Sequence, residues 1–233
     1  MMRFMCSIIL QLSDSGVFIA ANRDEMLDRP WDAPAEYWPG ICGGRDQVAG
    51  GTWMAINRHR VFAALLNREG TLGPAVGKSS RGKLPLLALA YNNAAEAAKA
   101  IAALNVGAYR SFNLVVADVA GAFLLRGFGH GKPDLRRLPM GVTMITSGDP
   151  NDMRSPRIAR HLPRFRAVTP DGWLGLLADG DGNWDEQLNI SPRPNGFGTV
   201  CAAVVHLRRS GEVVHLFADG PPDKSPFRSV QWH

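Results

Sequence analysis

The spacing of apolar and polar positions changes character several times along this chain. Residues 7–12 and 17–22 are short apolar runs on either side of Ser13-Asp14-Ser15-Gly16, so the chain is predicted to open with a β-hairpin. Residues 52–56 and 61–67 flank Asn57-Arg58-His59-Arg60 in the same way. The period then becomes helical: residues 83–91 and 94–104 are rich in Leu and Ala at three- and four-residue spacing. Strand patterns resume at 112–117 and 122–126, joined across 118–121, and again at 142–146. Ser155-Pro156 places an N-cap residue before a proline at the first helical position, which opens a helix toward His161. Residues 172–177 read as a short helix, and residues 198–207 and 213–218 as a closing hairpin. Strands, then paired helices, then strands again predict an α+β layered fold. The Pro/Gly-rich stretch at 70–82 reads as a loop rather than a linker, so residues 1–233 are expected to form a single domain.

Composition narrows the class. With 233 residues, 45% hydrophobic and 20% charged, the chain is long and apolar enough to bury a core. No run approaches the ~18 apolar residues of a membrane span. The N-terminus carries one arginine, Arg3, and its apolar segment soon meets Ser13, Asp14 and Ser15, which does not fit a signal peptide. Cys6, Cys42 and Cys201 show neither a disulfide framework nor a metal-ligand spacing, so a reducing, cytoplasmic setting without a protein metal site is expected. The net charge is +5, but the arginines are scattered; this fits a basic surface and a small anionic ligand rather than nucleic acid.

The candidate chemistry gathers near the start. Cys6 follows Met5 directly. If translation begins at Met5, with residues 1–4 an extension, removal of that methionine leaves a thiol and a free α-amine on one residue. The amine, with an ordinary pKa near ~8, can then act as base for its own thiol. The same position also fits a small buried strand cysteine. Asn22-Arg23-Asp24-Glu25 closes the second strand: Arg23 offers a planar fork for a carboxylate, and Asp24 can orient an amine or take a proton. A strand end meeting solvent with a surface ion pair fits these residues equally well. Trp31, Pro34, Trp38 and Pro39 suggest a stiff aromatic loop that walls a pocket, and the glycines at 43, 44, 50 and 51 mark close backbone approach before Thr52-Trp53. Asn67, at a strand end, suits either an oxyanion donor or a turn cap. His206 and His215 lie on the two arms of the last hairpin, as a cross-strand pair, a ligand or scattered residues.

Taken in order, Met5-Cys6, Ala20-Ala21-Asn22-Arg23-Asp24-Glu25, Asp28-Arg29-Pro30, Ala49-Gly50-Gly51-Thr52-Trp53, Asn57-Arg58 and Asn67-Arg68 resemble the NRDE family, also called the transport and Golgi organization 2 family. The likeness continues through Phe112-Asn113-Leu114 and Ser155-Pro156-Arg157 to Gly196-Phe197-Gly198-Thr199. The resemblance implies an N-terminal-nucleophile-hydrolase-like fold, a four-layer αββα sandwich of mostly antiparallel sheets, and supports Met5 as the start. More distantly, the Cys and Arg–Asp arrangement is similar to bile salt hydrolases and penicillin V acylases, in which a cysteine attacks an amide. The chain departs from many relatives at Gly148, where they carry Asn, and at Val200, where they carry Arg.

Two functional readings follow from the resemblance. In the first, the protein handles haem inside the cell, or binds another anionic apolar ligand such as an acyl-CoA. Trp31, Trp53 and Phe112 would line that site, with Arg23, Arg58 or Arg157 meeting the acidic groups. In the second, it is an amide hydrolase with Cys6 as nucleophile, Asn22, Arg23 and Asp24 around it, and Asn67 as oxyanion donor. A scaffold is disfavoured, since repeats and heptads are lacking.

Overall fold

The computed structural model describes residues 6–71 and 73–231, so the reading of Met5 as the start falls outside the described residues. The chain divides into two compact units, one running to Arg29 and resuming over Met140–Val230, the other spanning Pro30–Pro139. No helix among the described residues is long and apolar enough to cross a membrane.

The first unit opens with the expected hairpin, β1 (Ser7–Ser13) and β2 (Gly16–Met26). Gly16 turns with φ of 137°, and a Cβ there would lie 2.1 Å from the Leu207 carbonyl oxygen, so only glycine fits. The second unit follows as β3 (Trp31–Trp38), β4 (Ile41–Asp46), β5 (Met54–Asn57), β6 (Phe62–Asn67), α1 (Lys83–Ala88), α2 (Ala94–Ala102), β7 (Phe112–Asp118), β8 (Gly121–Gly127) and β9 (Asp134–Arg137). Its strands pair antiparallel in chain order from β3 to β9. Leu84, Ala97 and Ile101 from the helices close over Phe112, Leu114 and Val116 on one face of the sheet.

Two expectations are corrected here. The aromatic, proline-bearing segment expected as a loop is a strand. β3 lies at the sheet edge with its register broken between Asp32 and Ala35 and between Glu36 and Trp38, an environment in which Pro34 costs little ladder bonding. The first helix ends at Ala88 rather than residue 91. The Asn57 amide takes the Leu89 and Tyr91 carbonyls at 2.8 Å each, drawing the chain out of helical geometry. The second helix keeps its predicted start, with the Asn93 side chain accepting the Glu96 N–H at 2.8 Å.

The chain then returns to the first unit as β10 (Gly141–Ile145), α3 (Pro156–Ala167), α4 (Trp173–Leu177), β11 (Phe197–Arg208), β12 (Val213–Ala218) and β13 (Arg228–Ser229). The sheet order is β10-β1-β2-β11-β12-β13. Pro156 takes the first helical position as expected, and α3 continues through Pro163 to Ala167. Ile158, Leu162 and Phe165 of α3 and Trp173 and Leu177 of α4 cover Ile9, Phe18, Ala20, Ala202 and Val204. Trp173 anchors this layer, edge-on to Phe165 at 5.1 Å and to Phe18 at 5.4 Å, with its Nε1–H on the Phe165 carbonyl.

His206 and His215 do not form a cross-strand pair. Val205 faces His215 and His206 faces Val214, so strand alternation sends the two rings to opposite sides of the sheet. His206 packs on Phe18, whereas His215 is 4% exposed and neither ring nitrogen has a hydrogen-bond partner among the described residues. Burial lowers the His215 pKa to about 4. An unfolded histidine, near ~6.5, takes up a proton that the folded one refuses, so the fold loses stability as pH falls from about 6.5 toward about 4. Replacing His215→Leu is expected to raise stability by about 1 kcal/mol at pH 7.5 by removing an unsatisfied polar group. The gain should be larger at pH 5.0, and thermal midpoints of both proteins at the two pH values check it.

Candidate functional site

Cys6 lies immediately ahead of β1, half-buried, where the described β1–β2 ladder begins at Ser7 opposite Asn22. Its sulfur meets the main chain of Asp24: the Asp24 N–H reaches Sγ at 3.4 Å, and the thiol points to the Asp24 carbonyl at 3.5 Å. Burial pushes the thiol up to about 12, and the charges of Asp24 and Glu25 push the same way. The Asp24 N–H and the Arg23 charge offset this only in part. In this state Cys6 is a thiol, not a thiolate.

Alternation along β2 divides Asn22-Arg23-Asp24-Glu25 between two faces. Asn22 and Asp24 follow Phe18 and Ala20 toward α3 and α4. Arg23 and Glu25 point the other way. Glu25 lies 4.0 Å from Arg23 and 3.9 Å from Arg29, and also accepts the Met26 N–H. The structure corrects the placing of Asn22 among catalytic groups. Its amide donates to the Leu177 and Leu188 carbonyls at 2.9 and 3.0 Å, tying the end of α4 and the following segment to the sheet.

The Asp24 carboxylate is enclosed as well. Its Oδ2 accepts from Arg157 at 3.1 Å, and its Oδ1 accepts from the Thr199 hydroxyl at 2.7 Å. The same Arg157 nitrogen also donates to Ser7 Oγ at 3.1 Å. Arg157 is 0% exposed, which corrects its reading as a ligand-binding residue: it is an internal tie between α3, β1 and β2. Burial raises the Asp24 pKa to about 6, opposed by Arg157 and by the Thr199 hydrogen bond. Asp24 therefore favours the fold at low pH and loses that contribution as pH rises through about 6, the reverse of His215. Arg193 stands close enough to Arg157 and Asp24 to feel both charges, and it lies against the rings of Trp184 and Phe197. One turn beyond Arg157, His161 donates from Nε2 to the Glu186 carbonyl at 2.8 Å, because Arg164 donates to Nδ1 and fixes the tautomer. Arg164 also pairs with Asp179.

The remaining sequence candidates belong to the second unit. Trp31 and Trp53 meet edge to face at 5.7 Å. The Trp53 ring covers Gly44, where a Cβ would come within 2.0 Å of it, which explains the glycine there. Arg58 is exposed and Asn67 half-buried, with no hydrogen bond from the Asn67 side chain among the described residues. Phe112 is corrected: it is fully buried among Leu84, Ala97 and Ile101, with its ring against Gly127, and presents no surface to a ligand. No cluster of three or more metal-binding side chains occurs among the described residues.

Sequence reasoning missed the roles of Ser7 and Thr199. Thr199 stands inside the motif Gly196-Phe197-Gly198-Thr199, which marked the region without assigning a task. The two departures have local accounts. Gly148 is open, since a Cβ there would meet nothing within 4 Å. Val200 is the extra residue of a β-bulge: Thr199 pairs with Asp24 and Cys201 with Arg23. Near Gly148, Asn151 uses its Oδ1 to accept the Met144 N–H at 2.8 Å.

Replacing Arg157→Leu should destabilise the protein by about 3–5 kcal/mol, since it strands a buried carboxylate. Adding Asp24→Asn should recover part of the loss. Urea midpoints of the single and double variants check both statements.

Comparison with curated proteins gives no match. A family model described as Transport and Golgi organisation 2 matches residues 5–172. Among solved structures, the chain is similar to an N-acylethanolamine-hydrolyzing acid amidase ortholog from Caenorhabditis elegans, with a TM-score of 0.60 and 13% identity over 97% of this chain and 100% of that one. It is also similar to a variant of conjugated bile acid hydrolase from Clostridium perfringens, with a TM-score of 0.52 and 9% identity over 98% of this chain and 97% of that one. At such identities the likeness shows the fold alone, and that fold is the α+β, N-terminal-nucleophile-hydrolase-like one expected from the sequence.

Proposed function

The chain belongs to the Transport and Golgi organisation 2 family, and from that premise we propose that it hydrolyses the C–N bond of an acyl amide with Cys6 as nucleophile. The observation that carries this reading is the placement of the Cys6 sulfur at the start of β1, 3.4 Å from the Asp24 N–H. Its support from fold is that the two solved structures compared above are named for hydrolysis, one of them an amidase.

In the proposed reaction the sulfur attacks the amide carbonyl carbon, the C–N bond breaks, and the amine leaves with the thiol proton. A thioester on Cys6 remains. Water then attacks it, the C–S bond breaks, a carboxylic acid departs and the sulfur regains its proton. A thiol pushed up to about 12 needs a base beside it. The Asp24 carboxylate is held by Arg157 and Thr199, so the base proposed is the α-amine of Cys6, freed by removal of everything through Met5. Arg23 eases thiol ionisation by its charge.

Protein that begins at Cys6 should hydrolyse members of a panel of fluorogenic N-acyl amides of increasing acyl length. The form retaining Met5 should be inactive, and Cys6→Ala should lower turnover at least ~10³-fold. Activity that persists in Cys6→Ala rules this reading out.

One observation favours a second reading, in which a ligand is held and not cleaved: the thiol is protonated and the nearby carboxylate is committed elsewhere. Under this reading the ligand is haem or another anionic apolar molecule such as an acyl-CoA. Cys6 is a thiol, both His161 nitrogens are engaged, and the unengaged His215 ring is buried. Titration with haem decides this reading: a saturable one-to-one shift of the Soret band supports it, and a non-saturating spectrum removes it.

A further inference from the structure

We infer that Thr199 is a positioning residue for Cys6, acting through Asp24. The inference rests on the reading of Cys6 as the reactive group and assigns the side chain that sets its geometry.

The thiol touches Asp24 only through that residue's main chain, with the N–H donating to sulfur and the carbonyl accepting from it. What Cys6 senses is therefore the orientation of the peptide units around Asp24. That orientation is fixed from the far edge of β2, where β11 pairs with it and Thr199 lies opposite Asp24. The Thr199 hydroxyl donates to Asp24 Oδ1 at 2.7 Å and accepts the Ile190 N–H at 2.7 Å, while the Thr199 N–H donates to the Ile190 carbonyl at 3.0 Å. One hydroxyl thus joins the carboxylate to the segment before β11 and has its donor and its acceptor both in use.

The bulge makes this contact possible. In a regular strand Thr199 and Cys201, two residues apart, would share a face. The inserted Val200 breaks that rule, so that Cys201 pairs with Arg23 and Thr199 with Asp24, whose side chains point to opposite sides. Arg157 holds the other carboxylate oxygen and also Ser7, the neighbour of Cys6. Thr199 and Arg157 together clamp both oxygens of Asp24, leaving its side chain a single orientation.

The charged groups facing the thiol are Asp24 and Glu25, which oppose its ionisation, and Arg23, which favours it. The Asp24 N–H is the contact that favours the thiolate, and loss of the Thr199 hydroxyl frees the peptide unit that carries it. The sulfur then loses that donor and becomes harder to ionise.

The test measures the rate of iodoacetamide labelling of the Cys6 peptide against pH, read by mass spectrometry, in wild type, Thr199→Val and Thr199→Ser. Each unit by which the thiol moves up lowers labelling at pH 8 by about tenfold. Thr199→Val is expected to label at least about fivefold more slowly than wild type at pH 8, with its profile displaced to higher pH. Thr199→Ser, which keeps the hydroxyl, should stay within about twofold of wild type. If Thr199→Val does not fold, Thr199→Ala is read in the same assay. A folded variant lacking the hydroxyl whose profile overlays wild type overturns the inference, as does Thr199→Ser shifting as far as Thr199→Val. Labelling needs no turnover, so failure here is distinct from failure of the hydrolase reading, which rests on Cys6→Ala.

Discussion

The ion pair between Arg157 and Asp24 is the contact on which the first unit is arranged. Both side chains are withdrawn from water, at 3.1 Å from one another. Removing two charges from solvent costs several kcal/mol per ion, and their attraction repays it only when the remaining donors and acceptors are also used. The structure meets that condition at Asp24 with Thr199, and it extends the guanidinium to Ser7. The pair is thus better understood as a fixer of geometry than as a source of stability. A helix, three strands and a loop segment meet at one carboxylate, and each must be in register for the charge to be tolerated.

That arrangement explains why the tetrapeptide Asn22-Arg23-Asp24-Glu25 reads as a block of four polar residues but works as two pairs. The even positions are structural ties facing the helices: Asn22 holds two carbonyls and Asp24 holds the ion pair. The odd positions, Arg23 and Glu25, face the other way and shape the electrostatics of the thiol. The group that contacts Cys6 is none of the four side chains but the main chain of Asp24.

Much of this fold was legible because the signals were local. Gly16 marks its turn, Pro156 its helix start, and the period of the apolar residues separates the sheets from the helices. The strand over Trp31–Trp38 was hidden because Pro34 reads as a breaker, and only an edge position with a broken register excuses it. The site was legible in residue types but not in roles. Arg157 and Asp24 are 133 positions apart, and nothing in either neighbourhood announces the pairing. Phe112 misled because an aromatic residue beside a polar motif can line a pocket or fill a core, and the apolar surfaces of the two helices settled it as core. Thr199 stayed unassigned because strand alternation, applied evenly, would send it away from Asp24.

The inserted residue in β11 has a consequence of a different kind. Val200 contributes no functional group, and many other apolar side chains would serve in its place. Its place outside the ladder is what matters: because the pairing skips it, Thr199 faces Asp24 while Cys201 faces Arg23, as if the two were adjacent in the chain. Deleting it would leave that pairing intact by ordinary alternation, whereas straightening the strand with it present would set Val200 against Asp24 and turn the Thr199 hydroxyl to the other side of the sheet. At this point the chemistry depends on which residue the ladder leaves out.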